Sequence, residues 1–523
     1  MFNRIIYRST KQTEQTNQSM SMTTAFINSL KEAAPSVVHL GVQAVSAGVS
    51  VSFTPSTCRP RTHLARTTEE SIALLTAMAD LLQDKTVPVI QLDVDMASSN
   101  GGLGNVLSLL WTGLANNQTV RVVMFESIQG NDQNVFKAAF DAIKKNVQSG
   151  HSPLEELHLK RVPLSNKNVL QALSMAVATQ FRALEILDCD LGRKPRLSLL
   201  WKALKGNASF KVLTVTGVDS VCRMEEASED DSIQNLLTGN PSLEELRLRD
   251  THGLTKASSL WTYLSHGLAH NDKLACLDLR DSAIGGYEVD QLFGIGVANN
   301  STVERLYLKA ADLGAVHALA DCLNQVEHSS LKVLMLSRGR QFVEEADATI
   351  LECFTNNQHI PIETLVLPVH YTPGSSRTPK FVPSELPEFV RSTKHLRHLN
   401  IAGYMCERDD HFEDLNRAVQ QNRSVLSMIV GSFHPDNFRF QQERSPNRFR
   451  IATVCRLNQR IFDLQGGEND VLVPLVLEKL LGSFQVGREY SPISYTNIQG
   501  RIDLELAFAL VQSRPILFDR TKM

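Results

Sequence analysis

SLEELRL, from Ser242 to Leu248, and KLACLDL, from Lys273 to Leu279, share the pattern that decides the fold. Each has an apolar residue, two positions of any type, a second apolar residue, one free position and a third apolar residue. Because strand side chains alternate between two faces, the last two apolar residues indicate a short strand. The pattern recurs as TVERLYL from Thr302, SLKVLML from Ser330 and HLRHLNI from His395.

The repeat extends over much of the chain. We place the central apolar residues of twelve strands at Ile90, Val123, Leu157, Leu187, Leu213, Leu246, Leu277, Leu306, Leu334, Leu365, Leu399 and Met428. Neighbouring centres lie 26 to 34 residues apart, and the segments between them carry apolar residues at helical spacing. Neither the strand nor the helix of one repeat can bury its apolar face alone, so the sequence predicts stacked strand-turn-helix repeats.

Many of the predicted helices end in Asn or Gly-Asn, followed by a small polar residue and the next strand. Examples are NNQT from Asn116, GNAS from Gly206, GNPS from Gly239 and NNST from Asn299. Six N-x-S/T sequons occur, at Asn17, Asn117, Asn207, Asn299, Asn300 and Asn422. The N-terminus has no charged-then-apolar signal pattern, so we predict that the sequons are turn residues and not glycan acceptors.

Composition and motifs restrict the function. The 523 residues carry a formal net charge of -3, which gives no global attraction to nucleic acid or to acidic membranes. Eight cysteines are scattered singly, without the spacing of zinc ligands. No phosphate loop, zinc pair, nucleophile elbow or calcium loop occurs. We therefore expect no enzyme, catalytic residue, metal or cofactor, and a soluble monomer of the cytoplasm or, alternatively, the nucleus.

With strand, loop and helix units of 26 to 34 residues, the array resembles the ribonuclease-inhibitor-like class of leucine-rich repeats. The resemblance covers about two thirds of the chain. It implies an α/β solenoid, a horseshoe with parallel strands on the concave face and helices on the convex face. In this class the residue three positions after the last strand leucine is usually Asn or Cys. Here it is neither, so we predict a degenerate asparagine ladder. The position is occupied by Thr251, Ser282, Ala311, Val162 and Gly339.

The chain divides into four predicted segments. They are a flexible N-terminal tail (1–33), an N-terminal cap (34–86), about twelve leucine-rich repeats (87–431) and a C-terminal helical cap (432–523). Later positions predicted to lie on the concave face are less polar, namely Val333, Met335, Val366, Pro368, Ala402 and Ile429. Either a partner or the C-terminal segment covers them, and we favour the C-terminal segment because open solenoid ends require capping.

The sixth to eighth predicted strands carry the most charged set of outward positions. Arginine forks bind carboxylates and phosphates through paired hydrogen bonds, and a tyrosine is a frequent anchor at interfaces. We predict a partner-binding site for a protein with an acidic surface, composed of Arg247, Arg249, Asp278, Arg280, Arg305, Tyr307 and Lys309. The alternative is a solvated ladder of mutually compensating charges, because adjacent strands lie about 5 Å apart.

Two further clusters invite a chemical interpretation. His158 beside Asp188 and Asp190 could form a catalytic or metal cluster, but a charged ladder is the favoured interpretation. Cys276 lies among arginines that could activate its thiol. A loop with alternating arginine and phenylalanine residues, from Phe438 to Arg450, could bind single-stranded nucleic acid, although a cap loop is favoured and nucleic acid is not expected.

The predicted function is therefore a non-enzymatic protein-recognition scaffold that binds a macromolecular partner on its concave face. The class of repeats that the array resembles includes nuclease inhibitors, innate-immune sensors, ubiquitin-ligase substrate receptors and the activating protein for the Ran GTPase. The alternative is accordingly a regulatory adaptor, such as a ubiquitin-ligase substrate receptor or a GTPase activator of the same fold. A recruitment motif or a catalytic arginine would distinguish these, and the sequence shows neither.

Overall fold

The computed structural model divides into two compact units, Met1–Val303 and Glu304–Met523. It describes residues 24–26, 28, 37–45, 48–55, 61–65, 67–84, 89–95, 104–127, 133–150, 152–178, 180–189, 197–217, 232–249, 258–325, 330–338, 343–367, 383–402, 409–422 and 424–431. The predicted C-terminal cap and most of the predicted tail lie outside these residues. The domain boundaries predicted at residues 33, 86 and 431 therefore stay predictions.

The first unit consists of alternating strands and helices after an N-terminal β-meander. Its strands are β1 (Val37–Val45), β2 (Gly48–Pro55), β3 (Arg61–Ala65), β4 (Gln91–Asp95), β5 (Val122–Glu126), β6 (Glu156–Lys160), β7 (Ala183–Leu187), β8 (Val212–Thr216), β9 (Glu245–Arg249) and β10 (Cys276–Ile284). Its helices are α1 (Thr68–Gln83), α2 (Gly104–Ala115), α3 (Gln133–Gln148), α4 (Lys167–Val177), α5 (Leu197–Lys205), α6 (Ser232–Gly239), α7 (Ser258–Ala269) and α8 (Gly286–Asp290), which continues as a π-helix over Gln291–Val297.

Strands β4 to β10 pair in chain order, each parallel to the next. On the other side of β4, β1 is parallel to it, while β2 and β3 add antiparallel pairs that complete the meander. The predicted parallel α/β repeat array is confirmed, and the meander occupies the region predicted as an N-terminal cap.

The second unit repeats the same alternation with five parallel strands. They are β11 (Arg305–Ala310), β12 (Val333–Arg338), β13 (Thr364–Val366), β14 (His398–Ala402) and β15 (Ser427–Gly431). Its helices are α9 (Leu313–Gln325), α10 (Val343–Asn356), α11 (Leu386–Ser392) and α12 (Asp409–Gln421). Within the described residues of both units, none of the helices combines the length and the hydropathy of a transmembrane span.

Strand register confirms ten of the twelve predicted central residues and corrects two. The residue of β4 opposite Val123 is Leu92, and the residue of β7 opposite Leu157 is Leu184. The predicted centre Ile90 precedes β4 and is 40% exposed, and Leu187 lies on the outer side of β7. In both segments the local apolar pattern fits twice, two residues apart at β4 and three residues apart, on the opposite face, at β7. Only pairing with the neighbouring strand selects the correct register.

The core lies between the strands and the helices of each unit. The strands alternate buried and half-buried residues, and the central leucines from Leu92 to Leu399 are at most 1% exposed. In the first unit, the ring of Phe125 packs at right angles or nearly so against Trp111, Phe136 and Phe140. Each repeat thus supplies one strand and one helix to a core that continues into the next repeat.

A buried asparagine at the end of most helices joins each repeat to the previous one. Asn300 donates from Nδ2 to the carbonyls of Leu268 (2.8 Å) and Asn271 (2.7 Å), and its Oδ1 accepts from the backbone N–H of Thr302 and Val303. The other buried asparagines that donate to a preceding repeat are Asn117, Asn146, Asn207, Asn240, Asn271 and Asn422. The prediction that these sequons are turn residues is confirmed for Asn117, Asn207, Asn300 and Asn422.

The predicted asparagine ladder, three residues after the last strand leucine, is degenerate as predicted. Ser282 donates from Oγ to the carbonyl of Leu248 at 3.2 Å. Once β7 is placed correctly, Cys189 occupies the equivalent position, and its Sγ lies 3.4 Å from the carbonyl oxygen of Leu159. Val162 is instead a buried apolar side chain with no hydrogen-bonding group. The regular hydrogen-bonded ladder of this protein is therefore at the helix ends.

Three successive strands, β6 to β8, are each followed by a residue with left-handed backbone. Arg161, Asp188 and Gly217 have φ of 57°, 51° and 68°, and each backbone N–H reaches the carbonyl at the end of the next strand. A Cβ on Gly217 would overlap only the end of the exposed Asp188 side chain, which can move, so it is the left-handed conformation that requires glycine here.

We expect Gly217→Ala to lower the free energy of unfolding by about 1–2 kcal/mol, because alanine is strained at positive φ. Urea denaturation followed by circular dichroism measures the loss. The control is Gly206→Ala, where an added Cβ meets nothing within 4 Å and the backbone φ is not left-handed. Equal stability of Gly217→Ala and Gly206→Ala would contradict the requirement for glycine at position 217.

Candidate functional site

The outer side chains of β4 to β10 form a surface that we call the strand face. It consists of alternate strand residues that point away from the helices, and the register aligns them in rows across the strands. The middle row contains Asp93, Met124, His158, Glu185, Thr214, Arg247 and Asp278. Most of these side chains are half-buried, because neighbouring rows cover their stems.

Asp278 binds two arginines at the β10 end of the strand face. Its side chain is only 1% exposed. It accepts hydrogen bonds from Nε (2.7 Å) and Nη2 of Arg249, and from Nε (3.0 Å), Nη2 (2.8 Å) and the backbone N–H (3.0 Å) of Arg280. Burial by itself raises the pKa of Asp278, but the hydrogen bonds from Arg280 and Arg249 outweigh it and hold the pKa below its ordinary value. The carboxylate is therefore charged and fixes two guanidinium groups.

The remaining predicted site residues have different surroundings. Arg247 forms an ion pair with Glu245 on its own strand, and its side chain is 35% exposed. Arg305, Tyr307 and Lys309 lie at half-buried outer positions of β11, opposite Val333, Met335 and Ser337. They belong to the second unit, whereas Arg247, Arg249, Asp278 and Arg280 belong to the first. The structure thus brings Arg249, Asp278 and Arg280 into direct contact.

The prediction of the acidic residues beside His158 requires a correction. The predicted neighbours Asp188 and Asp190 are not outer residues of β7, because the strand is centred on Leu184. Asp188 is exposed in the turn after β7, and Asp190 lies outside the described residues. The outer residue beside His158 is Glu185, which the sequence analysis missed. The alternation of FRALEIL, with Leu184 and Ile186 both inward, is the signal that could have found it.

His158 is held between two carboxylates. Its Nδ1 lies 2.6 Å from Glu185 and its Nε2 lies 3.3 Å from Glu156. The hydrogen bond with Glu185 raises the pKa of His158 and is also the main reason that the pKa of Glu185 is lowered, with smaller effects of Arg249 and Arg247. The imidazole of His158 therefore stays protonated to a higher pH than that of an ordinary histidine.

We expect His158→Gln to reduce stability only under mildly acidic conditions. The raised pKa means that the imidazolium stabilises the fold below its ordinary value of 6.5, and this contribution is lost as pH rises through the folded-state pKa. For a partly exposed pair the effect is about 0.5 kcal/mol. Urea denaturation at about pH 5.5 should show the difference from wild type, and the difference should shrink as the pH is raised above 6.5. His317→Gln, on the exposed side of α9, is the control, and a loss that does not depend on pH would contradict the ion pair.

The described cysteines have the burial typical of core residues. Cys276, considered above as a reactive thiol, is 2% exposed, so solvent reagents do not reach its sulfur in the folded chain. Burial raises the pKa of Cys189 to about 12 and that of Cys353 to about 11. Among the described residues, no group of three or more His, Cys, Asp or Glu side chains is placed to hold a metal ion.

The later strands present a more mixed outer surface than the sequence predicts. Val333, Met335 and Val366 are half-buried outer residues, as predicted. The register places Thr364, His398, Asn400 and Ser427 at equivalent positions of the same rows. Pro368 and the side chains of Ala402 and Ile429 lie outside the described part of the chain. The described apolar residues are therefore interrupted by polar ones.

Comparison with known proteins gives only distant structural matches. No family model matches the sequence, and no curated protein matches it. The chain is similar to a chain of the crystal structure of the Rad7 and Elc1 complex in yeast, with 18% sequence identity, 60% of this chain and 77% of that chain covered, and a TM-score of 0.32. It is also similar to a chain of the TLR13–ssRNA13 complex, with 12% identity, coverages of 66% and 54%, and a TM-score of 0.23. This chain spans about half the length of the latter match, and at these TM-scores no residue role is carried over from either.

Proposed function

We propose that this chain is a non-enzymatic protein-recognition scaffold that binds a protein partner through the strand face. The observation that carries the proposal is the fixed orientation of Arg249 and Arg280 by Asp278. A flexible arginine loses conformational entropy when it binds, about 0.5–1.5 kcal/mol for each immobilised side chain. Arginines that a buried carboxylate has already oriented lose less, which favours a role in recognition.

The partner surface that meets these arginines is acidic in our proposal. Asp278 accepts from Nε and Nη2 of Arg249, and a guanidinium has five N–H donors, so donors remain for a carboxylate of the partner. The side chains of Arg249 and Arg280 are 27% and 33% exposed. We also propose that Arg305, Tyr307 and Lys309 contribute to partner binding from the second unit.

Several further assignments belong to the same proposal. Each repeat combines a strand with a helix, and the corrected centres Leu92, Val123, Leu157 and Leu184 are 27 to 34 residues apart. Most of these units are longer than the about 20–29 residues typical of leucine-rich repeats because each carries a full helix, and we propose that they are repeats of the ribonuclease-inhibitor-like class. We propose a monomer that acts in the cytoplasm or nucleus without a cofactor, and that does not bind nucleic acid.

The proposal is tested by quantitative capture from a lysate with three immobilised full-length chains. They are wild type, Arg247→Glu on the strand face, and Lys202→Glu on the exposed side of α5. Circular dichroism first verifies that all three are folded. Mass spectrometry then compares the captured proteins, and the affinity of each candidate is measured with purified protein.

We expect a protein partner whose affinity falls at least about tenfold with Arg247→Glu and stays unchanged with Lys202→Glu, as for a charged residue within an interface. If every partner is retained by both variants, the strand face is a solvated surface of compensating charges. In that case the proposed function is wrong.

A further inference from the structure

Charge is distributed unevenly along the strand face. Strands β4 to β7 carry five outer carboxylates, at Asp93, Asp95, Glu126, Glu156 and Glu185. Lys160 and Arg161 are the described cations among them, and both form ion pairs with Glu126. Counted over these Asp, Glu, Lys and Arg side chains, the acidic end has three more negative than positive charges, five against two.

The other end of the strand face has the opposite sign. The charged side chains that the structure describes on the outer side of β9 and β10 are Arg247, Arg249 and Arg280, against Glu245 and Asp278. The two carboxylates are the more buried members, with side chains 15% and 1% exposed, whereas the arginines are 27% to 35% exposed. The surface that a partner meets at this basic end is therefore mainly guanidinium.

Between the two ends lies an uncharged strip. It consists of all three outer residues of β8, Val212, Thr214 and Thr216, and of Ala183 and Leu187 on β7. Val212 and Leu187 are half-buried, which leaves apolar surface available to a partner. Thr214 is 5% exposed because its neighbours cover it. The strip separates the charged ends without a charge of its own.

We infer that the strand face binds an extended protein segment whose own charges run in the opposite order. Basic residues of the segment lie over β4 to β7, an apolar residue contacts Val212 beside Ala183, and acidic residues meet the arginines of β9 and β10. The inference rests on the proposed function and specifies its partner. It differs from the expectation of a uniformly acidic partner, because an acidic surface would be repelled by the carboxylates of the acidic end.

The width of the strand face sets the length of the bound segment. From β4 to β10 there are six strand spacings of about 4.8 Å, or about 29 Å in total. An extended chain advances about 3.3 Å per residue, so about nine residues cross the strand face. A central apolar residue with charged residues three or four positions away on both sides would match the strip and the two ends.

The probe is a phage-displayed library of random twelve-residue peptides, selected on the immobilised full-length chain. Sequencing identifies enriched peptides, and the affinity of the best is measured for wild type, Val212→Lys and Leu199→Lys. Leu199, on α5, is 36% exposed and is the matched apolar control on the helix side. Ala183→Lys, at the position opposite Val212 on β7, replaces Val212→Lys if the latter lowers thermal stability.

We expect enriched peptides with basic residues at one end, an apolar residue in the middle and acidic residues at the other end, in one chain direction. Their affinity should fall at least about tenfold with Val212→Lys and stay unchanged with Leu199→Lys. Peptides that are acidic throughout but still sensitive to Val212→Lys would overturn this inference and leave the proposed function intact. No enrichment, or enrichment unaffected by both strand-face variants, would overturn both.

Discussion

Replacement of Asn300 by alanine is expected to lower the free energy of unfolding by about 3 kcal/mol. The side chain is 6% exposed and satisfies two carbonyls of the preceding repeat and two backbone N–H groups of its own turn. Alanine removes these four hydrogen bonds. The carbonyl of Leu268 keeps the backbone N–H of Asn271, but each buried group left unsatisfied costs about 1–3 kcal/mol before the structure relaxes. The urea midpoint should fall while the denaturant dependence of unfolding stays unchanged.

The adjacent residue provides a matched control. Asn299 is also an asparagine at the end of the same helix, but it is exposed and donates only to the carbonyl of Ile295 within its own turn. We expect Asn299→Ala to change stability by less than about 0.5 kcal/mol, as is usual for surface substitutions. Similar losses for both variants would show that the loss reflects helix termination and not the bonds between repeats.

Asp278→Ala is expected to reduce stability by about 2–3 kcal/mol. Removal of one partner from a buried ion pair costs about 3–5 kcal/mol, and partial exposure of Arg249 and Arg280 lowers the figure because solvent screens their charges. Asp272→Ala is the control, because that carboxylate is 83% exposed and lies 3.5 Å from Lys273. Equal effects of the two substitutions would contradict the role of Asp278.

The stabilising effect of Asp278 has a defined pH dependence. Since the pKa of Asp278 is lowered in the folded chain, its contribution is present above the ordinary value of 3.8 and is lost as pH falls through the folded-state value. The difference between wild type and Asp278→Ala should therefore be the same at about pH 5 and pH 7, and decrease only under more acidic conditions. A difference that decreases already above pH 5 would mean that the arginines do not hold the charged form.

Periodicity in the sequence predicts the repeated strand and helix well, because both elements bury one face against the same core. It fails where two apolar phases coexist. In FRALEILDC, Leu184, Ile186, Leu187 and Cys189 allow two placements of the strand, and the choice depends on Leu157 in the neighbouring repeat. The incorrect phase hid Glu185 and assigned Asp188 to the face.

The charged surface was only partly predictable for a related reason. The sequence places Arg249, Asp278 and Arg280 at outer positions, and the structure has them there. It does not reveal that one carboxylate is nearly inaccessible and holds two arginines, because that depends on side chains of adjacent strands. For the helix-end asparagines, turn chemistry is readable from each local motif, but the carbonyls that Asn117 and Asn207 reach lie about one repeat earlier in the chain.

The buried sequon asparagines have a consequence for how this protein can be produced. Oligosaccharide is attached to the amide nitrogen of asparagine, which at Asn117, Asn207, Asn300 and Asn422 is the atom that bonds to the preceding repeat. If the nascent chain were glycosylated at any of these four positions before folding, the sugar would occupy space that two stacked repeats fill. Secretion from a eukaryotic expression host should therefore yield misfolded glycoprotein, whereas synthesis in a compartment without glycosyl transfer should yield the folded chain.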